Sequence, residues 1–326
     1  QYGSRPGRDP TAVTLMEELR LDYSALTRTP MGLFDNDCSS CYDRILIPIS
    51  SLIARGMGIH RNVVLVHANT LEQAQYKLKL GKQTSADSYS HCALWPLHGS
   101  GQGSANSPTI WCFISSKLFQ AHESQAFGMT MKTPLGDIIL KVNMVGFVDD
   151  ATCVTAGDPT APIQDLITRM QHDAQLGNAI LWSSGGKLEL SKCGYHTSYY
   201  IFNPDGTPVL YQDKQSTTPE EGTDTNTFNF EYTTTETTRQ SQIIIKSTTG
   251  SNITITAKNI DTPRKNLGHF KSPSRCTKEQ TNQIKIKAQM LSKTMITCQL
   301  TRNDASMLYH TVYRPVSYTH LRAHET

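Results

Sequence analysis

Apolar residues recur along the first two thirds of the chain with two different periods, which divide it into predicted helices and strands. A spacing of three to four residues predicts helices from Pro10, over 45–57, over 70–80, from Ser107, and from Ile163 to about Ser183. Continuous apolar or β-branched runs predict strands over 31–34 and 195–202 and a hairpin over 145–154. This order favours an α+β fold class, in which helices pack on one face of a sheet.

The first predicted helix opens at Asp9-Pro10, where aspartate suits the N-cap and proline suits the first helical position. Its expected buried face consists of Val13, Met16, Leu19, Tyr23 and Leu26. The Gly/Pro-rich loop ahead of it carries Arg5 and Arg8, whose planar side chains suit either phosphate or plain solvent exposure.

Two adjacent acids, Asp149 and Asp150, interrupt the apolar run over 145–154. Because adjacent strand residues point to opposite faces, only a turn lets both carboxylates approach one cation. The pattern therefore predicts a tight β-hairpin with its acids at the bend. Such pairs are also common in ordinary surface turns, so the rest of the chain has to decide between the two interpretations.

A second group of acids, Asp35, Asp37 and Asp43, directly follows the predicted strand over 31–34. Carboxylates that follow a buried strand are expected to face a shared cleft.

Two further motifs are less specific. Cys38 and Cys41 have Cys-x-x-Cys spacing, but no second pair matches it, so incidental small residues are favoured over zinc or thiol chemistry. The glycine-rich loop over 95–104 allows the backbone to approach a ligand closely, and Gln102 offers both a donor and an acceptor. In the same loop, His98 is interpreted as structural because no partner lies at metal-ligand spacing.

The composition changes at residue 212, after which threonine, serine and glutamate dominate up to about residue 260. This stretch is predicted to be a largely mobile insertion with a hairpin near 242–255. From Arg264 onward the chain is rich in lysine and arginine, with interleaved apolar residues such as Ile286 and Met290. That pattern predicts packed helices with a basic face that contacts a nucleic-acid backbone.

Bulk properties exclude few classes of protein. A formal charge of +3 and a pI near 8.4 permit nucleic-acid binding without requiring it. The absence of an apolar run near the roughly 20 residues of a membrane span, the absence of a signal peptide and the eight scattered cysteines favour a nuclear or cytoplasmic location. The chain begins at Gln1, so a fragment is expected, and 316–326 resembles a translated sequencing adapter that is excluded from fold reasoning.

Taken together, these motifs resemble a reverse transcriptase, and they are most similar to those of non-LTR retrotransposons. The similarity covers about residues 1–314 in the family's motif order, with phenylalanine at 147 where tyrosine is usual and glycine at 101 where proline is usual. The matching segments are Gln1–Arg8, Phe34–Asp43, Gly101–Ser104 with Ser107-Pro108, Phe147–Asp150, Gly185–Cys193 and Asn266–Gly268.

The resemblance implies a right-hand polymerase palm, built on an antiparallel sheet, with partial fingers and the start of a helical thumb. The corresponding domains are fingers and palm over 1–210, the insertion over 211–262, primer-grip turn and thumb over 263–314, and an artefactual tail over 315–326. The implied partners are an RNA template, a DNA primer and deoxynucleoside triphosphates, with no membrane and no obligate protein partner.

The resemblance also implies a role for each matched residue. Asp37, Asp149 and Asp150 would be catalytic and would bind two Mg²⁺ ions, with Mn²⁺ as an alternative ion. Substrate-binding roles would fall to Tyr42 as a gate against the ribose 2′-hydroxyl, to Gln102 and Gly103 along the nucleotide, and to Lys192, Arg5 and Arg8 at the triphosphate. Leu267 and Gly268 would form the primer grip.

Three alternatives stay open at this point. One is an intron-encoded maturase-type reverse transcriptase, and another is a catalytically silent or decayed relative that only binds RNA. An RNA-dependent RNA polymerase shares the palm, although the bulky Tyr42 favours deoxynucleotides.

Overall fold

A computed structural model describes residues 10–39, 41–90, 99–100, 104, 106–147, 150–211, 242–247, 249–266, 269–298 and 300–310. The helices are α1 Pro10–Thr27, α2 Cys41–Arg44, α3 Ile47–Gly56, α4 Arg61–Glu72, α5 Ser107–Gln125, α6 Ile163–Ser183, α7 Lys278–Thr297 and α8 Arg302–Leu308. The strands are β1 Met31–Asp37, β2 Gln75–Tyr76, β3 Lys79–Leu80, β4 Gln83–Thr84, β5 Tyr89–Ser90, β6 Met129–Lys132, β7 Ile139–Val142, β8 Met144–Phe147, β9 Asp150–Ala156, β10 Gly194–Ser198, β11 Tyr200–Phe202, β12 Pro208–Leu210, β13 Ile243–Lys246, β14 Asn252–Ile255, β15 Arg264–Asn266 and β16 His269–Lys271.

The central sheet has four antiparallel strands in the order β10-β1-β9-β8. Its middle strand β1 is almost entirely buried over 31–34, as expected of a strand that packs on both faces. The other sheets of the described chain are two-stranded and antiparallel. The prediction of a mixed fold with an antiparallel sheet is therefore confirmed, as are the predicted β1 and the helices α5 and α6.

One face of the central sheet packs on α5 and α6. Phe34 of β1 and Met170 of α6 belong to the larger apolar core, together with Trp111 and Ile114 of α5. Gly32 is required at this contact because a Cβ there would lie 2.0 Å from the Met170 sulfur. The helices can therefore approach β1 closely only over a residue with no side chain.

The opposite face is covered at one end only. Met31 and Leu33 of β1 form a second core with Val13 and Leu21 of α1 and with the β6–β7 hairpin. The prediction that helices lie on one face alone is therefore wrong, since α1 packs on the face opposite to α5 and α6. Beyond this second core the same face carries Asp35 and Asp37, because alternate strand residues share a face. We call this end of the sheet face, which carries Asp35 and Asp37, the acid face.

The predicted buried face of α1 is confirmed only in part, since Val13, Met16 and Tyr23 contact the second core whereas Leu19 and Leu26 are exposed. Leu19 is 46% exposed and Leu26 is 82% exposed, whereas the polar side chains of Thr14, Glu17, Arg20 and Ser24 are buried. Apolar spacing does not predict these buried polar side chains, because hydrogen bonds and ion pairs offset the free-energy cost of burying them.

The predicted helix over 70–80 is wrong in position. Helix α4 ends at Glu72, and short strands follow it, with β2 paired to β5 and β3 paired to β4. The helix begins at the N-cap His60, whose side chain accepts a hydrogen bond from the Asn62 amide. Thr70, predicted near a helix start, instead donates its hydroxyl to the Val66 carbonyl within the last turns of α4.

The β13–β14 hairpin belongs to the larger core, although it falls within the predicted mobile insertion. Ile243, Ile245 and Ile255 are buried against that core, and Gln171 of α6 bonds both backbone groups of Ile244. The predicted hairpin near 242–255 is confirmed. After it the chain runs beside β10, where Ala257 forms a parallel bridge with Tyr195.

Helix α7 is amphipathic in sequence but packs little of its apolar side. Ile286, Met290 and Ile296 are exposed, and the buried residue of this helix is Gln280 near its start. The prediction of packed C-terminal helices is therefore wrong for most of α7. In the described part of the chain, every helix is too short or too polar to cross a membrane.

Candidate active site

Asp37 and Asp150 face each other across neighbouring strands at the open end of the acid face. The β1–β9 register pairs these two residues directly, and directly opposed residues have Cβ atoms roughly 4.5–5.5 Å apart. Phe147 pairs with Asp150 across β8 and β9, which leaves two residues at the turn. The predicted tight hairpin is confirmed, while Asp149 lies outside the described residues.

Lys192 completes this group from the other side of β1. The segment after α6 runs beside the end of β1, because the Ser39 amide donates to the Lys187 carbonyl and the Glu189 amide donates to the Asp37 carbonyl, each at 2.8 Å. This places the Lys192 Nζ 3.9 Å from an Asp37 carboxylate oxygen. Both side chains are substantially exposed, so this ion pair adds little to the stability of the fold. It does place a positive charge next to the two carboxylates.

Tyr42 lies in α2, directly after the acid strand. Its ring packs edge-on against Trp111 of α5, with the ring centroids 6.4 Å apart. The glycine-rich loop is fixed to the same helix, because the Gly99 amide donates to the Ile45 carbonyl at 2.8 Å and the Ser100 amide donates to the Tyr42 carbonyl at 2.9 Å. The loop that leads to Gln102 therefore starts beside Tyr42, although Gln102 and Gly103 themselves lie outside the described residues.

Gly99 is required where the loop meets α2. Its φ of +82° favours glycine, and a Cβ there would lie 2.2 Å from the Tyr42 carbonyl oxygen. A side chain at this position would both strain the backbone and separate the loop from α2.

The sequence did not predict a buried ion-pair network that lies next to Asp37 and Asp150 on the same face of the sheet. Arg264 of β15 binds both oxygens of Asp35 through Nε at 2.9 Å and donates from Nη2 to the Thr152 hydroxyl at 2.8 Å. Glu17 of α1 lies 3.8 Å from Arg264. Asp35 was grouped with the candidate acids, yet its carboxylate is used inside the fold. No local pattern indicates this partner, which lies 229 residues further along the chain.

Burial and charge shift the pKa values of this network in opposite directions. Burial alone would raise the pKa of Asp35, but the Arg264 charge and its hydrogen bonds hold that pKa below the ordinary 3.8. Burial, together with the nearby charge of Arg264, lowers the pKa of His196 to about 4. Asp35 and Arg264 are therefore both charged, and His196 is neutral, at physiological pH.

The β15–β16 hairpin is held against α1. Asn266 pairs with His269, and the predicted primer-grip residues Leu267 and Gly268 come between them in the sequence. Both lie outside the described residues. At the base of the hairpin Lys271 bonds Glu18, and further along the chain Arg275 bonds Asp22 at 2.5 Å.

The cysteines of the candidate region do not form a ligand set in the described chain. Cys38 and Cys41 are not joined in a disulfide, and Cys41 is buried. Burial raises the pKa of Cys153 to about 12 and that of Cys193 to about 11, which keeps both thiols protonated. Among the described residues no three His, Cys, Asp or Glu side chains are arranged to hold a metal ion.

The described part of this site therefore offers two opposed carboxylates and one adjacent ammonium group where the two interior strands of the central sheet meet its end. Carboxylate oxygens are ligands for hard divalent cations, and an ammonium group binds phosphate as a point charge. Arg5 and Arg8, predicted at the same site, lie outside the described residues.

Comparison with known proteins finds distant similarity among solved structures. No protein-family model and no curated protein matches the sequence. The chain is similar to a solved structure of apo telomerase from Candida tropicalis truncated from its C-terminal domain, with 13% identity and a TM-score of 0.39. The match covers 57% of this chain and 35% of the telomerase chain.

Proposed function

We propose that this chain carries the palm, part of the fingers and the start of the thumb of an RNA-directed DNA polymerase, of the kind found in non-LTR retroelements. Such an enzyme adds deoxynucleotides to the 3′ end of a primer. The observation that carries the proposal is the direct pairing of Asp37 with Asp150, with Lys192 3.9 Å from Asp37.

The donor set fits magnesium. Asp37 and Asp150 supply hard carboxylate oxygens at the end of the central sheet, and Asp149 between Phe147 and Asp150 would supply a third carboxylate. When bound, two such ions would neutralise charge on the attacking and leaving oxygens of a phosphoryl transfer. Buried apolar strands on either side of the acids would hold the protein ligands in place without the substrate.

The chain's own residues would bind and orient the substrates. Lys192 would lie at the triphosphate, where its ammonium group could donate a proton to the departing pyrophosphate. Tyr42, fixed against Trp111, would limit the space next to the sugar of the incoming nucleotide. The loop anchored at Gly99 would bring Gln102 and Gly103 toward the base and sugar.

Primer extension tests the proposal. The chain is given an RNA template annealed to a labelled DNA primer, the four deoxynucleotides and Mg²⁺, and extended products are separated by length. Asp37→Asn and Asp150→Asn should each reduce the extension rate by at least about 100-fold, because each removes a charge from the metal ligands.

Asp87→Asn is the matched control, since it makes the same change at an exposed position. It should extend primers at the rate of the unaltered chain. Extension by the Asp37 and Asp150 variants at the unaltered rate would contradict the proposal. Binding of the duplex with no extension by the unaltered chain would instead favour the RNA-binding alternative.

A further inference from the structure

A second lysine reaches the acid face from outside the segments that match the reverse-transcriptase motifs. Lys258 lies in the stretch after β14, where its amide donates to the Tyr195 carbonyl of β10 at 2.8 Å. Its side chain crosses over Gly194 and places Nζ 3.9 Å from an Asp35 oxygen. A Cβ at Gly194 would lie 2.3 Å from the Lys258 Cε, so this path exists only because residue 194 is glycine.

The charge of Lys258 exceeds what the network beneath it requires. Arg20 lies 4.0 Å from Glu17, Glu17 lies 3.8 Å from Arg264, and Arg264 bonds Asp35. Within this set each carboxylate already has an arginine, so Lys258 adds one positive charge. The two arginines are almost completely buried, whereas Lys258 is 32% exposed, and the extra charge therefore lies at the solvent end.

The position of this charge relates it to the candidate catalytic acids. Asp35 and Asp37 lie on the same face of β1, and residues two apart in a strand are separated by roughly 6.8 Å. A lysine side chain can cover that distance by changing rotamers. Lys192 and Lys258 thus lie on the same side of the acid pair, toward β10, with Lys192 at Asp37 and Lys258 at Asp35.

We propose that Lys258 binds a backbone phosphate near the 3′ end of the primer strand. This inference rests on the proposed function, and it assigns Lys258 a substrate distinct from that of Lys192. The assignment follows from the neighbouring elements: Arg264, which shares Asp35 with Lys258, begins the β15–β16 hairpin. A phosphate held at Lys258 therefore lies beside the first residue of that hairpin and roughly 6.8 Å along β1 from Asp37, within reach of a strand whose 3′-oxygen meets Asp37 and Asp150.

Binding of a fluorescent primer–template duplex, measured by anisotropy without nucleotide and over a range of salt concentrations, tests the proposal on the full chain. Lys258→Gln should weaken binding by about threefold to tenfold. It should also lower the slope of the logarithm of the binding constant against the logarithm of salt concentration by about one. Lys258→Arg keeps the charge and should restore binding. Gly194→Ala, which displaces the lysine without removing it, should behave like Lys258→Gln.

Lys246→Gln is the matched control, since it removes the same charge from an exposed position of β13 in the same region of the chain. It should leave both the affinity and the salt slope unchanged. Steady-state extension adds a second readout: Lys258→Gln should raise the KM for primer–template and leave the KM for deoxynucleotide unaltered.

Three results would overturn the assignment: duplex binding by Lys258→Gln equal to that of the unaltered chain, an increase confined to the nucleotide KM, or no duplex binding by the unaltered chain. The first two leave the proposed polymerase function standing, because that function is judged by the loss of extension in the Asp37 and Asp150 variants.

Discussion

The Arg264 Nε lies 2.9 Å from both carboxylate oxygens of Asp35. Asp35 comes two residues before the candidate metal ligand Asp37 in the sequence. The Arg264–Asp35 pair joins the central strand β1 to the β15–β16 hairpin. Because Thr152 of β9 accepts from the same guanidinium, the contact also spans the two strands that carry Asp37 and Asp150. A stability role and a positional role therefore coincide in one arginine.

Arg264→Met should destabilise the chain by about 3–5 kcal/mol, because it leaves the largely buried Asp35 with only the more distant Lys258 and removes the Arg264 charge beside Glu17. Urea denaturation followed by circular dichroism measures the change. Arg275→Met is the matched control: Arg275 also pairs with an aspartate, at 2.5 Å, but both side chains are about half exposed. Its loss should cost less than about 1 kcal/mol. Equal effects of the two substitutions would contradict the argument.

Stability should fall as the pH drops from 6.5 toward 4, because of His196. The folded-state pKa of this histidine is about 4 and its ordinary value is 6.5, so in this window the unfolded chain binds a proton that the folded chain does not. The full shift corresponds to roughly 3 kcal/mol. Asp35, whose pKa lies below 3.8, acts only at still lower pH, where its protonation removes further stability.

His196→Gln tests this assignment by removing the titrating group while keeping an N–H that can reach the Thr262 carbonyl, which His196 contacts at 3.1 Å. Urea midpoints measured at pH 7, 6, 5 and 4.5 should decline less steeply in the variant. An unchanged pH profile would show that other groups, such as the buried His122, cause the decline.

Tyr42→Ala should allow ribonucleotides into the product, on the order of tenfold to hundredfold more often than the unaltered chain. The expected reason is that the ring, held against Trp111, occupies the space a 2′-hydroxyl would need. Extension with each ribonucleotide in place of its deoxynucleotide measures the ratio of kcat/KM values. Tyr42→Phe keeps the ring and should keep the discrimination, so a gain by the phenylalanine variant would sink the steric explanation.

Gly99→Ala should raise the KM for deoxynucleotide as well as lower stability. The added Cβ would meet the Tyr42 carbonyl oxygen at 2.2 Å, so the loop before Gln102 must shift away from α2. Gly206 provides a strain-matched control, since it also has a φ of +82° but has no atom within 4 Å of a built Cβ. Gly206→Ala should therefore cost only the backbone strain, about 1–2 kcal/mol, with unchanged kinetics. Identical KM values in both variants would argue against a link between Gly99 and the nucleotide site.

The parts of the fold that followed from sequence are those set by short stretches of chain. Apolar periodicity and local stop signals predicted strand β1, the β8–β9 hairpin and helices α5 and α6. One such stop signal is Gly185 after α6, with a φ of +91°. Their boundaries depend on neighbours a few residues away, which the sequence displays directly.

The parts that did not follow depend on partners far along the chain. Glu17 is buried in α1 beside Arg264, and Arg20 is buried beside Glu17, so apolar spacing alone did not predict the polar part of the buried face. Asp35 resembled another candidate ligand until its partner was known. The same holds for Ile243 and Ile245, whose burial depends on α6 and not on the threonine-rich stretch before them.

The central place of β1 has a consequence for how the protein folds. β1 pairs on one side with β9 and on the other with β10, and Asp35 bonds residues 117 and 229 positions further along the chain. Contacts of such high sequence separation close large loops before they gain stability, so folding is expected to be slow compared with that of a helical domain. During synthesis on the ribosome, β1 must wait for most of the chain to emerge, and the acid pair assembles late.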